Sequence, residues 1–368
     1  MQIDNTYILT IAVTISLIFL GLIKKNSAIL FYLQLLWMYI LAAGNTLSID
    51  MGVHKNIFES AVTDNIDTLY GYFCYTFYQL GLDFIDMNAI LCIFLFAIIA
   101  VIIKIYSKNP CFVMSLLYIY PLVDYIIQKR FFTAFTIVLL GIVLFLFRKG
   151  YIYILAYILI VLLAAKIHSS AYIYMLFLLA PIIENSSRKK ILFIMFFIII
   201  VIAIPFLPDL VSIIDEDKSS WYFNDLHEKI KYPILNTILW GGFHIGFVYL
   251  YYRIYLIIKN SSLYSRQYVF AKHVLYINIC SLFFIPLYAW EPTFFRFYRN
   301  LLVLNYISIS MILPITQVYL KETLYETFVY FIYVVIAFIC IYFYASAGYE
   351  AIIHPILYNN FFLDIFRM

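Results

Sequence analysis

The sequence predicts an all-helical protein that crosses a membrane many times. Hydrophobic residues make up 65% of its 368 residues and charged residues only 12%, whereas soluble domains are roughly half apolar and a quarter charged. The apolar residues fall in continuous runs, many of them close to the roughly 20 residues that a membrane helix needs. We therefore expect one integral membrane domain over residues 1–368, with the bilayer as its solvent.

About twelve apolar runs are predicted to form membrane helices. They cover residues 7–23, 27–43, 88–106, 110–127, 131–147, 150–167, 170–185, 191–207, 233–258, 268–290, 300–320 and 326–346. Two of them are irregular. The run 150–167 is followed almost directly by the next, which predicts a tight hairpin near His168. The run 233–258 contains Gly241-Gly242, which predicts a break in that helix.

The distribution of basic residues predicts which side of the membrane each loop faces. Bacterial membrane proteins collect Lys and Arg in their cytoplasmic loops. With alternating spans, most basic clusters fall on one side, namely Lys24-Lys25, Lys104, Lys108, Arg148-Lys149, Arg188-Lys189-Lys190, Arg253, Lys259, Arg266, Lys272 and Lys321. This predicts a multi-pass protein of the bacterial inner (plasma) membrane. Both termini and the loops near 44–87, 208–232 and 291–299 are then outside the cytoplasm.

Arg130 falls on the outer side, opposite to most of the other cations. It ends the segment Gln128-Lys129-Arg130 between two apolar runs. A guanidinium group stays charged and pairs with two phosphate oxygens at once, so a cation held outside the cell predicts a site for an anion such as a lipid diphosphate. The structural alternative is a Lys-Arg pair that extends from a helix end towards the membrane surface.

His168 is the second outer candidate. It lies in Lys166-Ile167-His168-Ser169-Ser170, at the outer edge of the predicted hairpin. A neutral imidazole near pH 7 can accept a proton, so His168 is our first choice for a general base. The alternative is an ordinary polar residue at the membrane interface.

The segment from Trp290 to Asn300 carries the third candidate group. Arg296 and Arg299 are three residues apart, which places both on one face of a helix and suits them to bind a diphosphate. Glu291 precedes them, next to Pro292. The structural alternative is a belt of interfacial aromatic residues with cations that reach the surface, where we expect both arginines to be exposed.

The predicted outer loop 44–87 contains polar residues that are usually just solvated. Asp50 is the candidate for a functional role, because it follows directly after a span, whereas His54, Asp64 and Asp67 are not assigned one. An interfacial or re-entrant helix is expected near Tyr70-Gly71. His244, inside a predicted span, could line a cavity, but a structural hydrogen bond is the preferred interpretation.

Several classes of chemistry lack support in the sequence. No P-loop, GxSxG, HExxH or DxD-type pair occurs in a convincing context, and the five cysteines show no metal-binding or disulfide spacing. We therefore expect no metal, no cofactor and no nucleic-acid partner.

Three motifs resemble the EpsG-like branch of the Wzy class of bacterial polysaccharide polymerases. The early loop runs from Asp50 through Tyr70-Gly71-Tyr72 to Leu80-Gly81-Leu82-Asp83, and it is similar to that family's acidic, Gly-Tyr and Leu-Gly-Leu pattern. Gln128-Lys129-Arg130 resembles its Arg-centred segment, although there the Arg is commonly followed by Gln. His168-Ser169-Ser170-Ala171 is close to its His-Ser-x-Ala signature.

This resemblance implies a GT-C-like helical fold and an inverting, metal-independent glycosyl transfer between undecaprenyl-diphosphate-linked oligosaccharides. The site would combine Arg130, Arg296 and Arg299 on the diphosphate with His168 as base, and with Glu291 and Asp50 in reserve. A flippase and a chain-length regulator of the same pathway are possible partners. A ligase of O-antigen type and a flippase or other transporter remain alternative functions. The sequence leaves the product open among O-antigen of lipopolysaccharide, capsule and exopolysaccharide.

Overall fold

A computed structural model gives the fold of the chain. It describes residues 5–63, 66, 68–147, 150–185, 187–214, 216–220, 223, 233–261, 266–313, 320–344 and 349–363. Within these ranges the regular structure is helical and no β-strand occurs, which confirms the predicted all-helical class. Asp64, Asp67, both chain ends and residues 215, 221, 222 and 224–232 of the predicted loop 208–232 lie outside the described residues.

The helices of the first half are α1 Asn5–Ile23, α2 Ala28–Ala43, α3 Met51–Val62, α4 Leu69–Gln79, α5 Phe84–Tyr106, α6 Pro110–Ile119, α7 Leu122–Ile127, α8 Lys129–Phe147 and α9 Tyr151–Ile167. Those of the second half are α10 Leu179–Asn185, α11 Lys189–Ala203, α12 Leu207–Ile214, α13 Glu216–Ser220, α14 Pro233–Asn260, α15 Arg266–Ser281, α16 Arg296–Arg299, α17 Leu302–Ile312, α18 Leu320–Ile339 and α19 His354–Tyr358. Short 3-10 helices cover Ser169–Leu178, Ile204–Phe206, Leu282–Ala289 and Pro292–Phe295.

Five helical segments are long and apolar enough to cross a membrane. They are Thr6–Ile23, Phe84–Tyr106, Ile234–Asn260, Arg266–Ala289 and Lys321–Phe343. A sixth is present if Ile191–Ala203 and Leu207–Ile213, which meet at 79°, together form one bent span. The other predicted spans coincide with shorter or interrupted helices in the part of the chain that the structure describes, so the number of twelve stays a prediction.

Two local expectations about spans have clear outcomes. Helix α14 runs without interruption from Pro233 to Asn260, so the predicted break at Gly241-Gly242 is wrong. The helix continues because its backbone hydrogen bonds do not need side chains, and its packing outweighs the weak helix propensity of glycine. After α9 the helix type changes to the 3-10 helix Ser169–Leu178, and the predicted hairpin stays a prediction.

The chain divides into two compact units. Unit 1 comprises Met1–Ile142, Leu159–Ala171 and Thr327–Met368, and unit 2 comprises Val143–Ile158 and Tyr172–Glu326.

A buried polar junction joins α1, α2 and α6 in unit 1. The side-chain amide of Gln34 donates to the carbonyl of Leu17 at 3.1 Å, to the carbonyl of Cys111 at 3.2 Å and to the hydroxyl of Ser115 at 3.0 Å. Gly21 makes this approach possible, since a Cβ there would lie 2.2 Å from the Ser115 oxygen and 2.7 Å from the Cys111 carbonyl oxygen. Polar side chains between apolar helices thus fix their register.

The carboxyl end of α2 is held by three side chains of unit 1. The ammonium group of Lys129 donates to the Ala42 carbonyl at 2.7 Å, Asn88 donates to the Ala43 carbonyl at 2.9 Å, and Asn360 donates to the Ile40 carbonyl at 2.8 Å. These bonds satisfy carbonyl groups that a helix end leaves without partners, and a cation there also interacts favourably with the helix dipole. Lys129, which is 1% exposed, therefore has a structural role.

Unit 2 is built around α14, which packs against α15, α17 and the 3-10 helix Leu282–Ala289. His244 of α14 is fully buried, with Nδ1 2.8 Å from the Tyr288 hydroxyl and Nε2 2.8 Å from the Ser281 hydroxyl. Because Ser281 donates its one proton to the Asn278 carbonyl, it accepts from His244 Nε2. The preferred interpretation of His244 as a structural hydrogen-bonding residue is confirmed.

Candidate functional site

Arg130 occupies the first turn of α8. Gln128 separates α8 from the preceding short helix α7, so the chain turns just before this residue. Arg130 is half-buried. Its Nη2 atom donates to the Ile167 carbonyl at 3.4 Å, and its guanidinium carbon lies 5.6 Å from the centre of the Tyr70 ring. The structure thus brings together three regions of unit 1, namely α4, α8 and the end of α9.

His168 follows directly after α9 and is half-buried beside Arg130. Its ring centre lies 5.3 Å from that of Phe131 in an edge-on arrangement. The backbone N–H of Ser170 donates to His168 Nδ1 at 3.3 Å, and an amide nitrogen can only donate. In the neutral ring the proton is therefore on Nε2, and that nitrogen is a hydrogen-bond donor. This geometry suits His168 to donate to an anionic oxygen, and its predicted role as general base stays a prediction.

Asp50 stands at the start of α3 and is half-buried. Its carboxylate does not cap the helix. The buried face of α3 consists of Met51, His54, Phe58 and Ala61. The spacing of these residues is that of an amphipathic helix.

His54 is the residue of this face that the sequence interpretation left without a role. Its side chain is 5% exposed, its Nε2 lies 3.2 Å from the Ile127 carbonyl oxygen, and its ring centre is 6.3 Å from that of Tyr70. The pattern of buried positions in α3 could have identified it, because a histidine in an otherwise apolar stripe must be buried.

The electrostatics around His54 keep its ring neutral. Burial lowers the pKa of His54 to about 4, the bond to the Ile127 carbonyl opposes this, and the charges of Arg130 and Lys129 lower the pKa further. Burial also raises the pKa of the neighbouring Tyr70 hydroxyl far above its usual range. Both groups therefore face the arginine as neutral polar groups at physiological pH.

We name His54, Tyr70, Arg130 and His168 the Arg130 cluster. Arg130 supplies a permanent cation, and the Tyr70 ring lies against its guanidinium group. His168 can donate through Nε2, whereas Nε2 of His54 already donates to a backbone carbonyl. A fixed cation beside hydrogen-bonding groups suits an anionic group attached to a polar molecule. Asp50 belongs to the same unit, and its predicted reserve role stays a prediction.

The second candidate group lies in unit 2 and comprises residues 291–300, which we name the arginine segment. Arg296 and Arg299 form the two ends of the single-turn helix α16, so the predicted i, i+3 arrangement is present. They are only 6% and 7% exposed, which makes the expectation of exposed arginines at the surface wrong. For Arg296 a physical reason is visible, because the Phe297 ring lies against its guanidinium group.

Aromatic residues account for the burial of the arginine segment. Phe294 and Phe297 stack at 5.5 Å, and the guanidinium carbon of Arg296 is 5.7 Å from the centre of the Phe297 ring. The Tyr174 hydroxyl donates to the Phe297 carbonyl at 3.2 Å and links the arginine segment to the 3-10 helix Ser169–Leu178. Guanidinium groups remain charged when buried, and charged groups placed among apolar helices are commonly functional.

Glu291 has a local structural role at the start of the arginine segment. Its carboxylate accepts from the backbone N–H of Thr293 at 3.3 Å and from the hydroxyl of Thr293 at 2.5 Å. This arrangement caps the 3-10 helix Pro292–Phe295, since the first N–H groups of a helix need acceptors. The prediction that Glu291 serves as a reserve base stays a prediction.

Within the described residues, no group of three or more His, Cys, Asp and Glu side chains is placed to hold a metal ion.

Comparison with protein families matched one family model, that of the EpsG family, over residues 28–358. The matched range includes the Arg130 cluster and the whole arginine segment. Comparisons with curated proteins and with solved structures gave no match.

Proposed function

Because the chain belongs to the EpsG family, we propose that it polymerises undecaprenyl-diphosphate-linked oligosaccharide repeat units on the outer face of the bacterial plasma membrane. The family indicates a role in polysaccharide polymerisation, and the apolar helices indicate a membrane protein. The substrate, the outer side of the membrane and an inverting transfer without a metal are our proposals beyond the family's role. It also makes the chain an enzyme of glycosyltransferase type with a GT-C-like architecture.

The single observation that carries the proposal is the Arg130 cluster within the family match. A lipid diphosphate is an anion that stays at the membrane surface, and it would bind a guanidinium group through two phosphate oxygens. Arg130 is half-buried, so its charge is partly withdrawn from water while it remains accessible. In such a setting a fixed cation interacts more strongly with an anion than it would in bulk water.

The reaction follows from the chemistry of the substrates. A sugar hydroxyl of one lipid-linked oligosaccharide attacks the anomeric carbon of the other. The bond from that carbon to the diphosphate oxygen breaks, and the electron pair leaves with the lipid diphosphate. Negative charge develops on the leaving group, and preorganised positive charge at that position is often the largest contribution to catalysis.

We assign the diphosphate-binding role to Arg130 in unit 1 and to Arg296 and Arg299 in unit 2. Both substrates of a polymerase carry a diphosphate, so each arginine group has an anion to bind. His168 presents an N–H at Nε2 in its neutral form, which suits it to donate to a phosphate oxygen. Asp50 and Glu291 remain reserve candidates for proton transfer.

Surface glycans of a deletion strain test the proposal. Loss of a polymerase leaves single repeats on the surface, so the ladder of glycan lengths on a gel should collapse to one repeat. Complementation with the wild-type gene should restore the ladder, and complementation with Arg130→Ala should not. A matched control is Lys55→Ala, which removes an exposed cation of α3 and should restore the ladder fully.

The same experiment separates the alternatives. A ligase of O-antigen type would leave long chains on the carrier lipid in the deletion strain. A flippase would leave single lipid-linked repeats in the cytoplasmic leaflet, out of reach of enzymes added from outside. Either result, or a normal ladder with Arg130→Ala at wild-type expression, would contradict the proposed function.

A further inference from the structure

The proposed transfer needs a group that accepts the proton of the attacking sugar hydroxyl. We propose that His54 is this general base and that its Nδ1 atom accepts the proton. The inference rests on the proposed function, and it assigns a catalytic role to a residue of α3 that the sequence interpretation did not select.

The first argument is the position of the proton on the ring. A backbone carbonyl can only accept a hydrogen bond, so the 3.2 Å contact with the Ile127 carbonyl requires the proton of His54 on Nε2. In the neutral ring Nδ1 then has a lone pair and no proton. His54 is thus held as an acceptor, whereas the contact of His168 with the Ser170 N–H makes the latter ring a donor.

The second argument is that Nδ1 of His54 is buried and has no hydrogen-bond partner among the residues that the structure describes. A buried acceptor left without a donor costs roughly 1–3 kcal/mol. His54 Nδ1 is one of several such buried atoms in this chain, and a catalytic role is one of the recognised reasons for them. The side chain is 95% withdrawn from solvent in the free protein, so a substrate hydroxyl would be the donor that it lacks.

Gln128 gives independent support for an acceptor-lined site. Its side-chain oxygen is buried and likewise has no hydrogen-bond partner within the described ranges. Gln128 directly follows Ile127, the residue whose carbonyl holds His54. Two acceptors without donors, one on His54 and one on the residue after its hydrogen-bond partner, fit a molecule rich in hydroxyl groups, such as the non-reducing end of an oligosaccharide.

The charges that face His54 favour its basic form. Arg130 on α8 is a permanent cation and Lys129 is the second basic group on that helix. Tyr70 on α4 is neutral, and α7 contributes the Ile127 carbonyl. Burial and the two cations lower the pKa of His54 to about 4. The ring is therefore unprotonated throughout the physiological range and can take a proton in every turnover.

The proton leaves the sugar hydroxyl while the new glycosidic bond forms. The hydroxyl oxygen forms a bond to the anomeric carbon while its proton moves to His54 Nδ1, which makes an imidazolium. The bond between the anomeric carbon and the diphosphate oxygen breaks, and its electron pair stays on the lipid diphosphate near Arg130. The imidazolium then loses its proton to water, which regenerates the neutral ring.

The His54→Gln variant separates a base from a structural histidine. The amide nitrogen of Gln can occupy the place of Nε2 and donate to the Ile127 carbonyl, but it offers no basic nitrogen in place of Nδ1. The matched control is His354→Gln. His354 stacks on Tyr358 at 5.2 Å in the same unit and belongs to neither candidate group. Both proteins are purified and supplied with the lipid-linked repeat extracted from the deletion strain.

We expect His54→Gln to have the elution profile and KM of the wild type but a kcat lower by about 100-fold, a typical contribution of a general base. His354→Gln should match the wild type in both constants. A kcat of His54→Gln within threefold of the wild type would show that His54 is structural. If the wild type itself does not elongate the substrate, the proposed polymerisation fails, and the base assignment fails with it.

A measurement on the wild type serves if His54→Gln does not fold. The acid limb of kcat/KM reports the base of the free enzyme, and a lipid diphosphate with both ends esterified has no ionisation near neutrality. We expect kcat/KM to stay constant from pH 8 down to about pH 5.5. A fall centred near pH 6.5 would overturn the assignment, because an ordinary histidine would then be the base.

Discussion

The Arg130 cluster and the arginine segment place the same functional group in two different environments. Arg130 begins a long helix, is half-buried and touches a carbonyl and a tyrosine ring. Arg296 and Arg299 share a single helical turn and are almost fully buried, and Arg296 lies against a phenylalanine ring. Arg130 is thus held by a few contacts and stays partly exposed, whereas Arg296 and Arg299 are part of the packed interior of unit 2.

This difference predicts how the two groups respond to substitution. Truncation of a half-buried side chain removes a charge but leaves little empty volume, so catalysis should suffer more than stability. Truncation of a buried arginine removes both a charge and packed aliphatic atoms. If substitutions in both groups changed activity and stability to the same extent, the difference in burial would have no functional consequence.

The largest effect is expected for Arg130→Ala. Loss of a preorganised charge should reduce transition-state stabilisation by about 2–4 kcal/mol, or roughly 30- to 1,000-fold in kcat/KM. The melting temperature in detergent should stay close to that of the wild type. Arg130→Lys should give an intermediate kcat/KM, because an ammonium group keeps the charge without the two-point geometry. Equal activity of Arg130→Ala and Lys55→Ala would show that Arg130 does not bind the substrate.

The second prediction concerns the pH dependence of stability at His54. The unfolded chain protonates this residue below about pH 6.5, and the folded protein only below about pH 4. The free energy of unfolding should therefore fall as the pH falls from 6.5 to 4, by up to about 3 kcal/mol. Melting temperatures across this range should fall less steeply for His54→Gln than for the wild type, while His354→Gln should follow the wild type.

The third prediction tests the buried member of the comparison. Arg296→Ala and Arg299→Ala should each lose about 2 kcal/mol of unfolding free energy, in addition to activity, because buried contacts are removed. Thermal unfolding in detergent measures this loss beside Arg130→Ala. If Arg296→Ala unfolds at the wild-type temperature, the burial of the segment does not contribute to stability, and the contrast with Arg130 is lost.

The smallest effect is expected for Lys129→Met, at the neighbour of Arg130. The variant loses the hydrogen bond to the Ala42 carbonyl, and the removal of a desolvated charge offsets part of this loss. A net destabilisation of about 1 kcal/mol should result, with kcat/KM within threefold of the wild type. A large loss of activity at normal stability would instead place Lys129 in the reaction.

The sequence predicted the helical class and most helix positions, because long apolar runs leave few alternatives. The sequence-based prediction was wrong where packing decides whether an apolar run forms one continuous helix. Gly241-Gly242 was expected to break α14, which is continuous, and the run 110–127 is two helices, α6 and α7. Hydropathy reports how apolar a segment is, but the surrounding helices decide whether it is straight.

The candidate site was predicted in part. Arg130 and His168 were selected from charge and position, and the structure brings both to the Ile167–His168 corner of unit 1. His54 was passed over because a histidine in a polar loop resembles a solvated residue. The apolar stripe of α3 hinted at its burial, but its contact with the Ile127 carbonyl joins segments 73 residues apart, and such a contact has no signature in local composition.

The amino-acid order alone determined that this protein is helical and strongly apolar, since these properties follow from composition and periodicity. Only the tertiary structure decided which nitrogen of each histidine carries the proton, and which of two adjacent cations, Lys129 and Arg130, closes a helix end. The physical reason is that hydrogen-bond partners set tautomer and burial. The partners of His54, Lys129 and Arg130 come from segments far away in the chain.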